Sequence, residues 1–270
     1  MSKSKQGNLS IPWPFEKMEV ASNTDTNLLK MIAMLSMLID HMGAAIFPQY
    51  RIMRIIGRLA FPIYAYCLAV GCIYTHDMLK YVKRVALIAL ISQPIYALAL
   101  HPNVLRLSEL SFSTDPVGAA VQFYLNSWGD PSILLSLFCG LIFLWTLRDR
   151  HLVLTAAMVI FAALFYRELC GILDYGIRGI VLMLLFFLFA QTRWVSLLVV
   201  GGYMLWWGLQ GAGYSAFGIR FSSQMFAIFA LFLIYIRTNS RIKLNKWVFY
   251  LFYPAHLLLI YVLDKLAVFA

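Results

Sequence analysis

An acid and a histidine stand side by side at Asp40 and His41, inside the apolar run LLKMIAMLSMLIDHMGAAIFP that covers 28–48. Lys30 is the other charged residue of that run. Ionisable side chains within an apolar span are costly and face a cavity or each other, which makes them functional candidates. Histidine changes charge near neutral pH, the property a general base needs. Lys30 precedes His41 by eleven positions. At 100° per residue, eleven steps end about 20° past three full turns, so both side chains share one helix face, roughly 16 Å apart along the axis. That separation suits a donor with a phosphate-rich head and a long arm ending in a reactive group. Acyl-coenzyme A has this shape: its phosphates would meet Lys30 while its pantetheine arm carries the thioester toward His41. Both residues would then line one tunnel, with His41 as base for an acceptor amine or hydroxyl.

The remaining polar groups of the apolar runs converge on the same side. Arg51, Arg54 and Arg58 fall at spacings of three and four, on one helix face. Arg51 sits at the interface and can snorkel outward. Two roles are open to Asp40. It can support the His41 imidazolium, as the acid of a catalytic triad does, or pair with Arg54 or Arg58. Adjacent helix residues point about 100° apart, so a direct Asp40–His41 bond does not follow from adjacency. If unpaired, Arg54 and Arg58 would hold an anionic substrate or stabilise a developing oxyanion. Gln93 precedes Pro94 and either satisfies a carbonyl freed by the proline or faces the site. Asp174 and Arg178, four apart, form a structural ion pair or contribute to the site. His256 lies in FYPAHLLLIYVL, with Tyr253 three residues earlier and Pro254 between them. Pro62, Pro94 and Pro254 each interrupt a span near one of these groups, as helices bent around a cavity would.

The elements that must position these residues are helices in a membrane. Of the 270 residues, 62% are hydrophobic and 13% charged, against about 25% charged in soluble proteins. Nine apolar windows follow one another at 28–48, 52–74, 81–100, 132–147, 152–167, 177–192, 194–210, 221–237 and 247–264. They predict an all-α, polytopic integral membrane bundle of about nine transmembrane helices. This forms a single domain over 28–270, after a polar cytoplasmic segment over 1–27. The fourth and fifth windows predict a tight hairpin, and the long 101–131 connection predicts an interfacial or re-entrant helix. Fourteen of the lysines and arginines fall on the N-terminal side of this topology and eight on the other. The positive-inside rule therefore puts the N-terminus in the cytoplasm and the C-terminus outside. The net charge of +10 sits in short clusters between apolar runs, a pattern that speaks against nucleic acid as a partner and for membrane lipids. The four cysteines include no CxxC pair and the histidines no close pair, so inert buried thiols and no metal are expected.

In chain order, LLKMIAMLSMLIDHMGAAIFP, RIIGRLAFPIYAYCLAVG, LISQPIYALAL, DYGIRGIVLMLL and FYPAHLLLIYVL resemble the TraX family. Its members include the F-type pilin acetylase, an inner-membrane protein that acetylates the pilin N-terminus. The resemblance runs from about residue 28 to 263. The lysine-x10-histidine pattern is also similar to the signature of the acyltransferase-3 membrane family, where the histidine is implicated in acyl transfer from acyl-coenzyme A to extracytoplasmic sugars. The resemblance implies His41 as the catalytic histidine, Lys30 as its donor-side basic partner and Arg58, in GRLAFP, as a site residue. It implies acetyl-coenzyme A as acyl donor, and a pilin peptide, sugar or polysaccharide as extracytoplasmic acceptor, at the bacterial inner membrane. A proton-coupled transporter or flippase is the alternative, with Asp40, His41, Asp174 and His256 relaying protons. The absence of an internal repeat weighs against it.

Overall fold

A computed structural model describes Phe15 and residues 18–266. The first helix, α1 (Thr26–Ala45), starts at Asp25, whose carboxylate accepts the Leu28 N–H at 3.3 Å. That bond satisfies one of the amides left without an intrahelical partner at a helix start. The same carboxylate accepts the Ser240 N–H at 2.7 Å and so ties α1 to the segment preceding the last helix.

A turn at 46–50 leads into α2 (Arg51–Gly57) and α3 (Ala60–Tyr74), one span of 24 residues interrupted at Arg58 and Leu59. Pro62 has no N–H to return to the Arg58 carbonyl, so the helical bond that would bridge the interruption is missing. Apolar on every side, α3 is mostly buried between Ala60 and Cys72 and packs against α1 and three later helices.

Helix α4 (Met78–Leu100) contains Pro94, which frees the Leu90 carbonyl. The Tyr124 hydroxyl donates to that oxygen at 3.3 Å. Tyr124 belongs to α5 (Pro116–Asn126), the short helix anticipated within the 101–131 connection. With the turn that follows, α5 meets α6 (Ile133–Arg148) at 71°, as a broken span or re-entrant loop does. The next helix, α7 (Leu152–Leu164), folds back on α6 as the expected hairpin, and α8 (Tyr166–Ile172) turns from it by 87°. Then come α9 (Gly176–Leu188), α10 (Arg193–Leu209) and a hairpin of β1 (Tyr214–Ala216) and β2 (Ile219–Phe221). A 3-10 stretch, Ser223–Phe229, runs into α11 (Ala230–Tyr235), and α12 (Lys246–Lys265) closes the bundle against α4 and α1.

Helices occupy all nine apolar windows, but not every one is long enough by itself to cross a membrane. Among the described residues, four are long and apolar enough to cross a membrane, or six if each bent pair counts as one span. Apolar runs do not report where a helix stops. The 177–192 window holds a helix of 13 residues, about 20 Å at 1.5 Å per residue, against a hydrocarbon core of about 30 Å. The long apolar helices make the chain an integral membrane protein. Of the polar segment expected over 1–27, residues 1–14, 16 and 17 lie outside the described residues, as do 267–270. The thiol expectation needs one correction. Cys67 and Cys72 are buried and Cys139 is half-buried, whereas Cys170 is exposed on α8, which turns from α7 by 87°.

Glycine permits the close approach of α1 to α2. A Cβ added at Gly43 would stand 2.7 Å from the Met53 Cβ, and one at Gly57 would overlap the Asp40 carboxylate. Gly57→Ala is therefore expected to destabilise the protein by about 1–3 kcal/mol, the usual effect of overpacking, read as a lower melting temperature in detergent. An unchanged melting temperature would show that α2 can retreat without penalty.

Candidate functional site

The elbow between α1 and α2 places Asp40 against two arginines. Its Oδ2 lies 2.6 Å from Arg54 Nη1 and its Oδ1 3.2 Å from Arg58 Nη2. Arg54 also donates to the Asp40 carbonyl at 3.1 Å. Arg58 is fixed further by the Arg54 carbonyl at 3.3 Å and the Tyr175 hydroxyl at 3.3 Å. Tyr175 in turn stacks on Phe61, with ring centroids 4.0 Å apart. Of the two roles open to Asp40, the geometry realises the ion pair: Asp40 makes no hydrogen bond to His41 among the described residues. A residue four or seven places before Arg58 reaches the same face, which is why both guanidiniums converge on one carboxylate.

The partner of His41 comes from the other end of the chain. His41 Nδ1 lies 2.8 Å from His256 Nε2, and His256 Nδ1 lies 2.7 Å from the Phe252 carbonyl. A carbonyl only accepts, so His256 Nδ1 carries a hydrogen and, in the neutral pair, its Nε2 accepts. His41 Nδ1 must then donate, which leaves the lone pair on His41 Nε2. That nitrogen makes no hydrogen bond among the described residues, and His41 lines a cavity of about 340 Å³. Tyr253 stands edge-on to both imidazoles, and its hydroxyl is buried with no hydrogen bond of good geometry among the described residues.

The cavity gathers Asp40, His41, Arg54, Arg58 and Asp174 from the sequence-derived candidates. A second cavity, of about 140 Å³, abuts it and holds Lys30 and Tyr253 together with Lys246 and Phe249. Lys30 Nζ lies 5.3 Å from the centre of the Phe249 ring. Met37, Tyr64, Ile133 and Leu137 line both cavities and form the wall between them. Lys30 and His41 thus open on two abutting cavities, not on one continuous tunnel. The wall consists of side chains, whose rotamers exchange far faster than helices rearrange.

Three other candidates serve differently from their expected roles. Gln93 does not reach the carbonyl freed by Pro94, which Tyr124 satisfies. It is fully buried and clamps the approach to α6: Nε2 donates to the Ser127 and Asp130 carbonyls at 2.5 and 3.0 Å, and Oε1 accepts the Ser132 N–H at 2.9 Å. Asp174 and Arg178 form no ion pair among the described residues. Their i, i+4 spacing has no helical meaning, because α9 begins only at Gly176, whose φ of +57° marks a turn. Arg178 lies over the Trp206 ring at 5.5 Å instead. Sequence reasoning missed Tyr96, His101, Asp130 and Tyr175, all of which line the main cavity. The available signal was positional: His101 and Asp130 bracket the 101–131 connection, at the end of α4 and just before α6.

A family model described as "TraX protein" matches residues 25–264. The chain is 23% identical over 256 residues to the probable fimbrial assembly protein FimC, serogroup H1, of Dichelobacter nodosus; the alignment covers 86% of this chain and 92% of that protein. A local stretch of 40 residues is 48% identical to the uncharacterized protein RP591 of Rickettsia prowazekii (strain Madrid E), covering 15% of this chain and 16% of that one. No solved structure matches.

Proposed function

The chain belongs to the TraX family, and on that footing we propose that it is an integral membrane acyltransferase. It takes an acetyl group from acetyl-coenzyme A on the cytoplasmic side and transfers it to an acceptor at the extracytoplasmic face. The observation that carries this is the His41–His256 pair, which leaves the lone pair on Nε2 of a histidine lining a cavity that abuts a lysine-lined one. Lys30 and Lys246 hold the donor's phosphates, and the shared wall of Met37, Tyr64, Ile133 and Leu137 opens to admit the thioester. His41 Nε2 accepts the proton of the attacking amine or hydroxyl, and His256 holds the imidazole in that tautomer. The Tyr253 hydroxyl, buried and without a well-formed hydrogen bond among the described residues, donates to the developing oxyanion. Asp40 holds Arg54 and Arg58 in place and neutralises part of their charge. The acceptor is a pilin-type N-terminal amine or a sugar hydroxyl, and the FimC-named relative favours the pilin class.

Purified protein with labelled acetyl-coenzyme A and each acceptor class tests this. Label moves to an acceptor with the wild type and not with His41→Ala. Substrate uptake into proteoliposomes without coenzyme A, and no transfer, would favour a transporter instead. Lys30→Ala is expected to raise KM for acetyl-coenzyme A about tenfold, a loss in keeping with one charge-assisted contact, with little change in kcat. An unchanged KM would remove Lys30 from the donor site.

A further inference from the structure

We propose that Tyr96, His101 and Asp130 form a second proton-accepting relay on the cavity of His41, and that it serves a protonated amine acceptor. This rests on the acyl transfer proposed above. Asp130 Oδ2 lies 2.8 Å from His101 Nδ1, and His101 Nε2 lies 3.2 Å from the Tyr96 hydroxyl oxygen. The carboxylate accepts, so His101 Nδ1 donates and Nε2 receives the Tyr96 O–H. The lone pairs of the Tyr96 oxygen remain as acceptors, and all three residues line the same cavity as His41.

Their surroundings suit a proton path. Tyr96 is buried, whereas the His101 and Asp130 side chains are 39% and 44% exposed, so a proton gathered inside leaves through them to water. Gln93 fixes the Asp130 backbone by donating to its carbonyl and accepting the Ser132 N–H. Asp174 lines the same cavity and has no ion-pair partner among the described residues, which makes it the counter-charge for an arriving ammonium.

An amine acceptor needs two bases where a hydroxyl needs one. A peptide α-amino group is largely protonated at neutral pH, with a pKa of about 8. The ammonium gives its first proton to the Tyr96 oxygen as the Tyr96 O–H proton passes to His101 Nε2, leaving a neutral amine and an imidazolium held by Asp130. The amine nitrogen then bonds to the thioester carbonyl carbon and the C–S bond breaks. The second N–H proton goes to His41 Nε2 and on to the departing coenzyme A thiolate. His101 returns the first proton to water.

The test compares wild type, Tyr96→Phe and His101→Gln in labelled acetyl transfer to a short peptide with a free α-amino group, from pH 7 to pH 9. Tyr96→Phe keeps the ring packing and removes only the hydroxyl. Asp40, His41, Arg54, Arg58, Tyr64, Asp174 and Tyr175 also face the cavity from α1, α2, α3, the break between α2 and α3, and the turn before α9, and they are unchanged in all three proteins. At pH 7 both variants are expected to lose at least about tenfold in rate, within the range of positioned proton transfer. The deficit should shrink toward pH 9, where the amine arrives already neutral, while KM for acetyl-coenzyme A stays constant. Wild-type rates at pH 7, or the same loss at both pH values, would overturn the relay and leave a structural tether. Transfer by the wild type to a sugar hydroxyl alone would overturn the amine assignment. No transfer to either acceptor would defeat the acyltransferase proposal itself, and this inference with it.

Discussion

His41→Gln is expected to lower the rate of acetyl transfer by about 10²–10⁴-fold, the range lost with a positioned general base, while the protein stays folded. Glutamine keeps an N–H that can donate to His256 Nε2, so the buried acceptor is not orphaned, but it offers no basic nitrogen to the cavity. His41→Ala removes the same base and also leaves a gap beside Tyr253 and His256, so its activity should fall as far and its melting temperature further. His256→Gln retains an acceptor oxygen for His41 Nδ1 and should lose less than either. The ordering matters more than any single value. If His256→Gln were as inactive as His41→Gln, His256 would be taking part in the proton transfer itself. If His41→Gln transferred at the wild-type rate, the base would have to be sought elsewhere on the cavity.

Asp40→Ala is expected to be the most destabilising single change near the site, by about 3–5 kcal/mol, because it leaves Arg54 and Arg58 without their counter-charge. Both guanidiniums reach the same carboxylate, so removing either arginine is less severe. Arg54→Ala should be the mildest of the three: its side chain is 39% exposed against 16% for Arg58, and Arg58 keeps its contacts to Asp40 and Tyr175. Thermal unfolding in detergent, compared across the three variants, reads this directly. Asp40→Asn keeps the shape and drops the charge, and its rate per folded molecule separates the two roles sequence left open. A melting temperature that falls with the rate per folded molecule preserved fits an ion-pair anchor. A preserved melting temperature with a collapsed rate would place Asp40 in the chemistry.

The sequence discloses the local half of this site and conceals the long-range half. Asp40, His41 and the arginines at 54 and 58 lie within one helical hairpin, where spacings of three and four translate into faces, so their convergence could be anticipated. The His41–His256 bond joins residues 215 apart, and no periodicity encodes which helix returns to lie against α1. The i, i+4 inference for Asp174 and Arg178 failed because periodicity has meaning only within a helix, and a turn ending at Gly176 separates them. His101 and Asp130 escaped notice because they sit at the two ends of a connection, where polar residues are expected and carry no surprise. Hydropathy located all nine helical regions, since burial in lipid and burial in protein both require apolar side chains. For the same reason it could not tell a helix that crosses from one that stops short, such as α9.

One measurement reaches the centre of the proposal. Inside-out membrane vesicles are loaded with a peptide bearing a free α-amino group, and labelled acetyl-coenzyme A is added outside, at the original cytoplasmic face. Label should accumulate on the enclosed peptide with the wild type and not with His41→Gln. Label on the enclosed peptide at equal levels in both, or none on it with active wild type supplied with donor, would contradict transfer through His41 across the membrane.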